Sequence, residues 1–332
     1  MKYALAFLSI FCILYNSEAA EGDTLKVKTH DAVDMVWFGN YDGKAFFPTE
    51  GMSFQKIIMK VKLYCPESGC SDWDYDVQVS LMKGLGYNDS TISSVDTISE
   101  EPLIIDTSWN VFEVREPYEL GRYITPYGSY MNHRNQQYGT AGFDRNWSHT
   151  FEYDVTDYAP LLQDSVLIRS RYFGYQSGFR TDIEFIFIEG EPLRKVVAIQ
   201  NLYTAGGSYT NSQDFENNVL PAKTIAIPDG AEEAEVKVLV SGHGSNSGTG
   251  CAEFCEKDYY LKVNGEQRFT HTMWRDDCSN VAVKPQGGTW IFSRGNWCPG
   301  DKVFENRHDI TPFISSNSID LDIDVEPYSL SG

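Results

Sequence analysis

Lys56–Cys65 (KIIMKVKLYC), Asp76–Leu81 (DVQVSL) and Asp182–Ile188 (DIEFIFI) decide the fold. Apolar side chains in these stretches fall mostly on every second residue. In an extended chain that spacing turns them to one face, so each stretch predicts a half-buried strand. Glu235–Val240 (EVKVLV) and Asp320–Val325 (DLDIDV) repeat the pattern. Tyr260–Val263 and Glu266–Thr270 flank Asn264-Gly265, a residue pair that accepts positive φ at both positions of a tight hairpin. No stretch longer than about ten residues holds a 3.6-residue period. The chain is therefore predicted to be all-β. Many short strands punctuated by Gly, Pro, Asn and Asp limit their open edges by stacking two sheets, as antiparallel sandwiches and jelly rolls do.

After the strand that ends near Glu189-Gly190-Glu191-Pro192, the pattern restarts at Val196–Leu202, which predicts a boundary within 191–196. Residues 20–192 and 193–332 would then form two sandwiches of similar size. The polar stretches 83–110 and 128–147 are predicted to be long loops rimming a binding face. No internal repeat or low-complexity tract interrupts the chain.

The 332 residues include 27 basic and 47 acidic side chains, a net charge of −20, so the surface would repel a polyanion and a nucleic-acid partner is excluded. With 42% hydrophobic and 22% charged residues, the composition is that of a globular protein. At the N-terminus, Lys2 precedes the apolar run Ala4–Leu14, followed by Ser17-Glu18-Ala19 with small residues at the −3 and −1 positions for cleavage. Residues 1–19 are read as a secretion signal, too short in its apolar part to span a bilayer. The rest of the chain has no segment apolar enough to cross a membrane, so the mature protein is expected to be secreted, extracellular or periplasmic.

Of the seven cysteines, Cys12 falls in the signal. That leaves Cys65, Cys70, Cys251, Cys255, Cys278 and Cys298, an even set that reads as disulfides in a secreted chain. The spacings C-x4-C and C-x3-C suit short bridges better than zinc.

Three constellations carry polar chemistry. Cys65 to Tyr75 (CPESGCSDWDY) would present Asp72, Trp73 and Asp74 from a tight turn; on spacing alone the aspartates read as turn caps. Gly250–Cys255 (GCAEFC) holds Glu253 inside a short cysteine loop, where the carboxylate has few ways to swing away; a structural surface loop fits equally. Ser293–Gly300 (SRGNWCPG) offers Arg294 for a carboxylate or oxyanion and Trp297 as a stacking face for a sugar, or else a surface arginine beside a packed tryptophan. The glycines 242, 244 and 248 miss the dinucleotide spacing, and Asn246 stands where a nucleophile elbow needs serine. Asp320, Asp322 and Asp324 lack the glycine of a calcium loop and read as a solvated strand face. The six histidines show no ligand pairing, so no metal is expected.

Read in order, these words resemble the peptide-N-glycosidase F family. CPESGCSDWDY at 65–75, ELGRYITPY at 119–127, DVTDYAPLL at 154–162, VSGHG with GCAEFC at 240–255, and RGNWCPG at 294–300 carry the resemblance. It implies two adjacent antiparallel eight-stranded jelly rolls with the active site between them, and bridges Cys65–Cys70, Cys251–Cys255 and Cys278–Cys298. It also implies hydrolysis of the amide between asparagine and the innermost N-acetylglucosamine of N-glycosylated proteins or peptides, without cofactor, by a monomer. By position in the motifs it implies catalytic roles for Asp74 and Glu253 and a binding role for Arg294. Trp73, Tyr75, Tyr172 and Trp297 complete the expected substrate-binding set. Two departures stand out: Tyr75 replaces an arginine of the family, and Tyr172 or Arg171 falls where the family has a third carboxylate. A glycan-binding module without catalysis is the alternative. A copper monooxygenase of similar architecture would need His and Met ligands that the scattered histidines do not supply. The C-terminal sandwich is expected to lack its last strands. Asn88 and Asn146 are glycosylation sequons in a eukaryotic host.

Overall fold

The computed structural model describes residues 22–49, 51–100, 103–128, 147–176, 178–204, 210–244 and 252–329. The signal segment, Asn146, Cys251 and most of the 128–147 stretch lie outside the described residues.

The chain is all-β, and its named strands pair antiparallel throughout. Eight strands fill the first part: β1 (Thr24–Met35), β2 (Asn40–Phe46), β3 (Phe54–Tyr64), β4 (Asp76–Glu100), β5 (Leu103–Ile124), β6 (Ser148–Asp154), β7 (Ser165–Tyr172) and β8 (Phe179–Glu189). They form two four-stranded sheets, ordered β1-β8-β3-β6 and β2-β7-β4-β5. The alternation read in the sequence sets the core. Ile57, Met59, Val61 and Leu63 of β3 and Ile183, Phe185 and Phe187 of β8 are all 0% exposed, facing Val77, Val79 and Ile168 of the other sheet. Phe47 meets Phe185 and Phe187 edge-on, which locks the sheets in register beyond what area burial alone supplies.

Downstream lie β9 (Lys223–Ala226), β10 (Glu235–Val238), β11 (Lys257–Val263), β12 (Glu266–Met273), β13 (Asn306–Asp309) and β14 (Ser318–Val325). Their sheet runs β12-β11-β14-β9, and β10 pairs with β13. Leu261, Val263, Ile319, Leu321 and Ile323 make a second core. Asn264 and Gly265 take φ of 53° and 79°, the turn geometry expected of that pair. The aspartates of β14 face outward as read, with Lys262 set between Asp322 and Asp324.

Two expectations need correction. Residues 83–100 and 103–110 are not a loop: β4 and β5 continue as a long two-stranded arm. Cross-strand pairs such as Ile92–Trp109 and Val95–Thr107 build it, and both faces stand in water, with Ile98 at 66% and Trp109 at 55% exposure. With neither face buried, no apolar alternation marks it. Conversely, Val196–Leu202 forms no strand. It runs as a connector whose Ile199 packs on the first core and Leu202 on the second, while Asn201 Nδ2 donates to Pro117 O at 2.8 Å.

Candidate active site

The Cys65–Cys70 bridge is formed and closes the turn ahead of Trp73. Ser71 N donates to Gly178 O at 2.9 Å, and Ser71 Oγ to Gln176 Oε1 at 2.9 Å. Just beyond, Thr125 at the end of β5 stitches the next residues down. Its N donates to Tyr75 O, its Oγ1 accepts from Tyr75 N, both at 2.8 Å, and the same hydroxyl donates to Trp73 O at 3.2 Å. Residues 74–78 then alternate. Tyr75 and Val77 turn into the core, and Asp74, Asp76 and Gln78 turn the other way.

Glu253 sits in a single 3-10 turn, Ala252–Phe254, ahead of the disulfide-bonded Cys255. Its backbone carbonyl accepts from Gly295 N at 2.8 Å, which fastens the turn to the loop that carries Arg294. That loop is itself held by the Cys278–Cys298 bridge and by paired backbone hydrogen bonds between Arg275 and Arg294.

Arg294 is fully buried, which overturns the surface-arginine reading. Its Nη1 donates to the Glu253 carboxylate. Nη2 donates to Thr289 O at 2.6 Å and to Thr289 Oγ1 at 2.8 Å. The guanidinium lies between the Phe254 and Trp297 rings, 4.8 and 4.7 Å from their centroids. A buried cation is tolerable only when paired and hydrogen-bonded, and Glu253 with Thr289 supplies both.

Both predicted carboxylates lie within the field of this cation. Burial pushes Asp74 up to about 6; Arg294 and the hydroxyl of Tyr127 oppose the rise, and the Glu253 charge adds to it. Burial also raises Glu253, against the pull of Arg294. Each carboxylate thus feels Arg294, and Asp74 feels Glu253, so the pair shares one electrostatic environment. His243 stands close by, stacked on Trp297 with centroids 4.7 Å apart and its Nε2 2.9 Å from Ser241 Oγ, and the charges of Arg122 and Arg294 disfavour its protonated form.

The expected substrate-binding set divides. Trp73 is 50% exposed at the rim, edge-on to Tyr127 with centroids 6.2 Å apart. Trp297 offers no face to a sugar: it is 2% exposed, its Nε1 donates to Gly242 O at 2.6 Å, and Arg294 and the stacked His243 ring occupy its surfaces. Tyr172, 0% exposed, and Tyr75 lie behind the site, packed edge-on at 5.4 Å. Arg171 is exposed, with its guanidinium 4.3 Å from the Phe173 centroid.

Sequence reasoning gave no role to Tyr127 or Thr289. Tyr127 closes the ELGRYITPY word, a signal available in the sequence; Thr289 carries none. A groove of about 2050 Å³ is lined by Asp74, Asp76, Gln78, Glu119 and Arg122 from the first part of the chain and by Ser241 and His243 from the second, while Glu253 and Arg294 are not among its lining residues. Arg122 forks onto both Glu119 oxygens at 2.7 and 2.8 Å and reaches Ser241 Oγ at 2.9 Å, tying the two walls together.

Known proteins are similar to this chain in sequence and fold. A family model described as peptide-N-glycosidase F, C terminal, matches residues 208–326. The peptide-N(4)-(N-acetyl-beta-D-glucosaminyl)asparagine amidase F of Elizabethkingia miricola is 25% identical over 299 residues, 86% of this chain and 73% of that protein. The resemblance to the peptide-N-glycosidase F family is borne out. A crystal structure of such an amidase superposes with a TM-score of 0.66 at 23% identity, covering 93% of this chain and 91% of the other. PNGase F from Flavobacterium meningosepticum, described as a glycosylasparaginase, gives 0.65 at 21% identity with the same coverage. PNGF-II gives 0.60 at 15%, covering 92% of this chain and 62% of its own. These superpositions agree with the antiparallel jelly-roll fold.

Proposed function

We propose that this protein is a secreted amidase that hydrolyses the side-chain amide linking asparagine to the innermost N-acetylglucosamine of N-linked glycoproteins and glycopeptides. The observation that carries the reading is the shared environment of Asp74 and Glu253 around the buried Arg294. An amide is a poor electrophile, so the reaction needs an activated water and a proton for the departing nitrogen. Asp74, poised near neutrality, takes the proton as water attacks the side-chain carbonyl. The C–N bond of the tetrahedral intermediate then breaks, the nitrogen leaves protonated as a glycosylamine, and the peptide keeps an aspartate. Glu253 assists by hydrogen bonding or proton transfer. With both terminal nitrogens engaged by Glu253 and Thr289, Arg294 neutralises and fixes Glu253 rather than reaching for the oxyanion. The half-exposed Trp73 gives the sugar a stacking face. In this reading residues 1–19 are the secretion signal, 20–192 and 193–332 are the two jelly-roll domains, Cys251 bridges Cys255, and the protein acts as a monomer without metal or organic cofactor. The disulfides Cys65–Cys70 and Cys278–Cys298 and the disulfide-bonded Cys255 fit an oxidising compartment.

The binding-module reading draws on one observation: Tyr75, at the family's arginine position, is buried and uncharged, and at the family's third-carboxylate position Tyr172 is buried and uncharged while Arg171 is a cation, so neither supplies an acid. A synthetic glycopeptide separates the two. The amidase reading predicts release of a glycosylamine by the wild type, and none by Asp74→Asn. Glycopeptide retained by the protein but never cleaved supports the module and overturns the amidase.

A further inference from the structure

The contacts behind the two carboxylates form one directed chain. Arg294 Nη2 can only donate, so Thr289 Oγ1 accepts from it at 2.8 Å. The Thr289 hydroxyl is then free to donate onward, and the Tyr127 hydroxyl oxygen lies 3.3 Å away. Beyond it the Tyr127 hydroxyl faces the Asp74 carboxylate closely enough to act on its titration, and an ionised carboxylate has no proton to give. The other end of Arg294 donates to Glu253. Guanidinium, threonine and tyrosine therefore form a series that can donate in one direction, toward Asp74. Hydrogen bonds in series polarise one another, so breaking a middle link weakens the last.

The chain also crosses between the two halves of the protein. Asp74 and Tyr127 belong to the segments that border β4 and β5, whereas Thr289 and Arg294 belong to the disulfide-held loop that carries the cation. The loop is seated for this purpose. Buried Gln286 accepts from Tyr127 N at 3.1 Å and donates to Val283 O and Pro299 O at 2.6 and 2.8 Å. Gly288, with φ of +62°, lies so close that a Cβ there would sit 3.0 Å from the Tyr127 ring.

We propose that Thr289 is a positioning residue that relays the Arg294 cation through Tyr127 to Asp74, so that the loop at 283–290 holds the base ionised while the same cation holds Glu253. This rests on the amidase reading, and a direct titration keeps the two separable. The charged and titratable groups facing Asp74 are Arg294, Tyr127 and Glu253. Replacing the link changes none of them.

The test compares wild type, Thr289→Val and Thr289→Ser. Asp74 is titrated by carbon-13 NMR of labelled aspartate carboxyls, assigned with Asp74→Asn. Valine keeps the shape but removes the hydroxyl. It should raise the Asp74 midpoint by roughly half to one pH unit, the size of one neutral hydrogen bond to the ionised form. Serine should restore the wild-type midpoint. On a cleavable glycopeptide, the acidic limb of kcat/KM should move up with the valine variant by the same amount, with KM unchanged. Thermal unfolding of all three variants controls for packing. A midpoint that is the same in the valine variant and in wild type overturns the relay, as does a serine variant shifted as far as valine. A titration shift with no cleavage by any variant leaves the relay standing and removes the amidase reading instead.

Discussion

At the scale of single residues, the site trades stability for reactivity. Asp74 is lifted from 3.8 to about 6 by burial. A carboxyl whose folded pKa exceeds its unfolded value favours folding below the unfolded value, and that contribution is lost as pH rises through the folded one. Near pH 7 the ionised Asp74 therefore costs the fold up to about 3 kcal/mol. Asp74→Asn should raise the unfolding temperature above pH 6 and leave it little changed near pH 4, while abolishing cleavage. Wild-type kcat/KM should fall as pH drops through about 6, when the base takes a proton. A variant less stable than wild type at pH 7 contradicts this assignment of the strain. The sequence disclosed Asp74, Glu253 and Arg294 because cysteines frame their words. It could not disclose Thr289, whose role comes from a contact with a residue far away in the chain, nor that Trp297 turns its faces to Arg294 and His243.

At the scale of elements, the turn from Cys65 to Tyr75 is built to aim one side chain. Its bridge closes so few residues that loop entropy gives it only roughly 2 kcal/mol. The stitches to Thr125 and Gly178 continue what the bridge begins. The double variant Cys65→Ser, Cys70→Ser should therefore lose about 2 kcal/mol of stability but tenfold or more of kcat, since misplacement of the reacting group is costly. Equal losses in both, matched across variants of similar stability, would assign the bridge to folding alone. Half-buried strands such as β3, β8 and β14 were legible because one face needs apolar residues at every second position. The arm of β4 and β5 was not, since pairing holds it without a buried face. Nor was the connector Val196–Leu202, whose apolar residues pack on two cores instead of joining a ladder.

At the scale of the whole molecule, two β cores bring segments distant in sequence to one place: a turn near residue 74, the end of β5 near 127, a cysteine turn at 253 and a loop at 289–294. The fold class and the order of the site words could be read beforehand. The way the halves lock, through Arg122 to Ser241 and through Gln286 to Tyr127, could not, because pairwise contacts across hundreds of residues leave no periodic trace. The central claim is that this assembly breaks the amide C–N bond of a glycosylated asparagine side chain, so that the nitrogen leaves with the sugar. Mass spectrometry of a denatured glycoprotein digested in heavy-oxygen water tests it most directly. The account predicts that each former glycosylation site becomes an aspartate bearing one heavy oxygen with the wild type, and stays intact with Asp74→Asn. An asparagine that keeps its innermost sugar, or a glycan that leaves with no oxygen gained by the peptide, would contradict it.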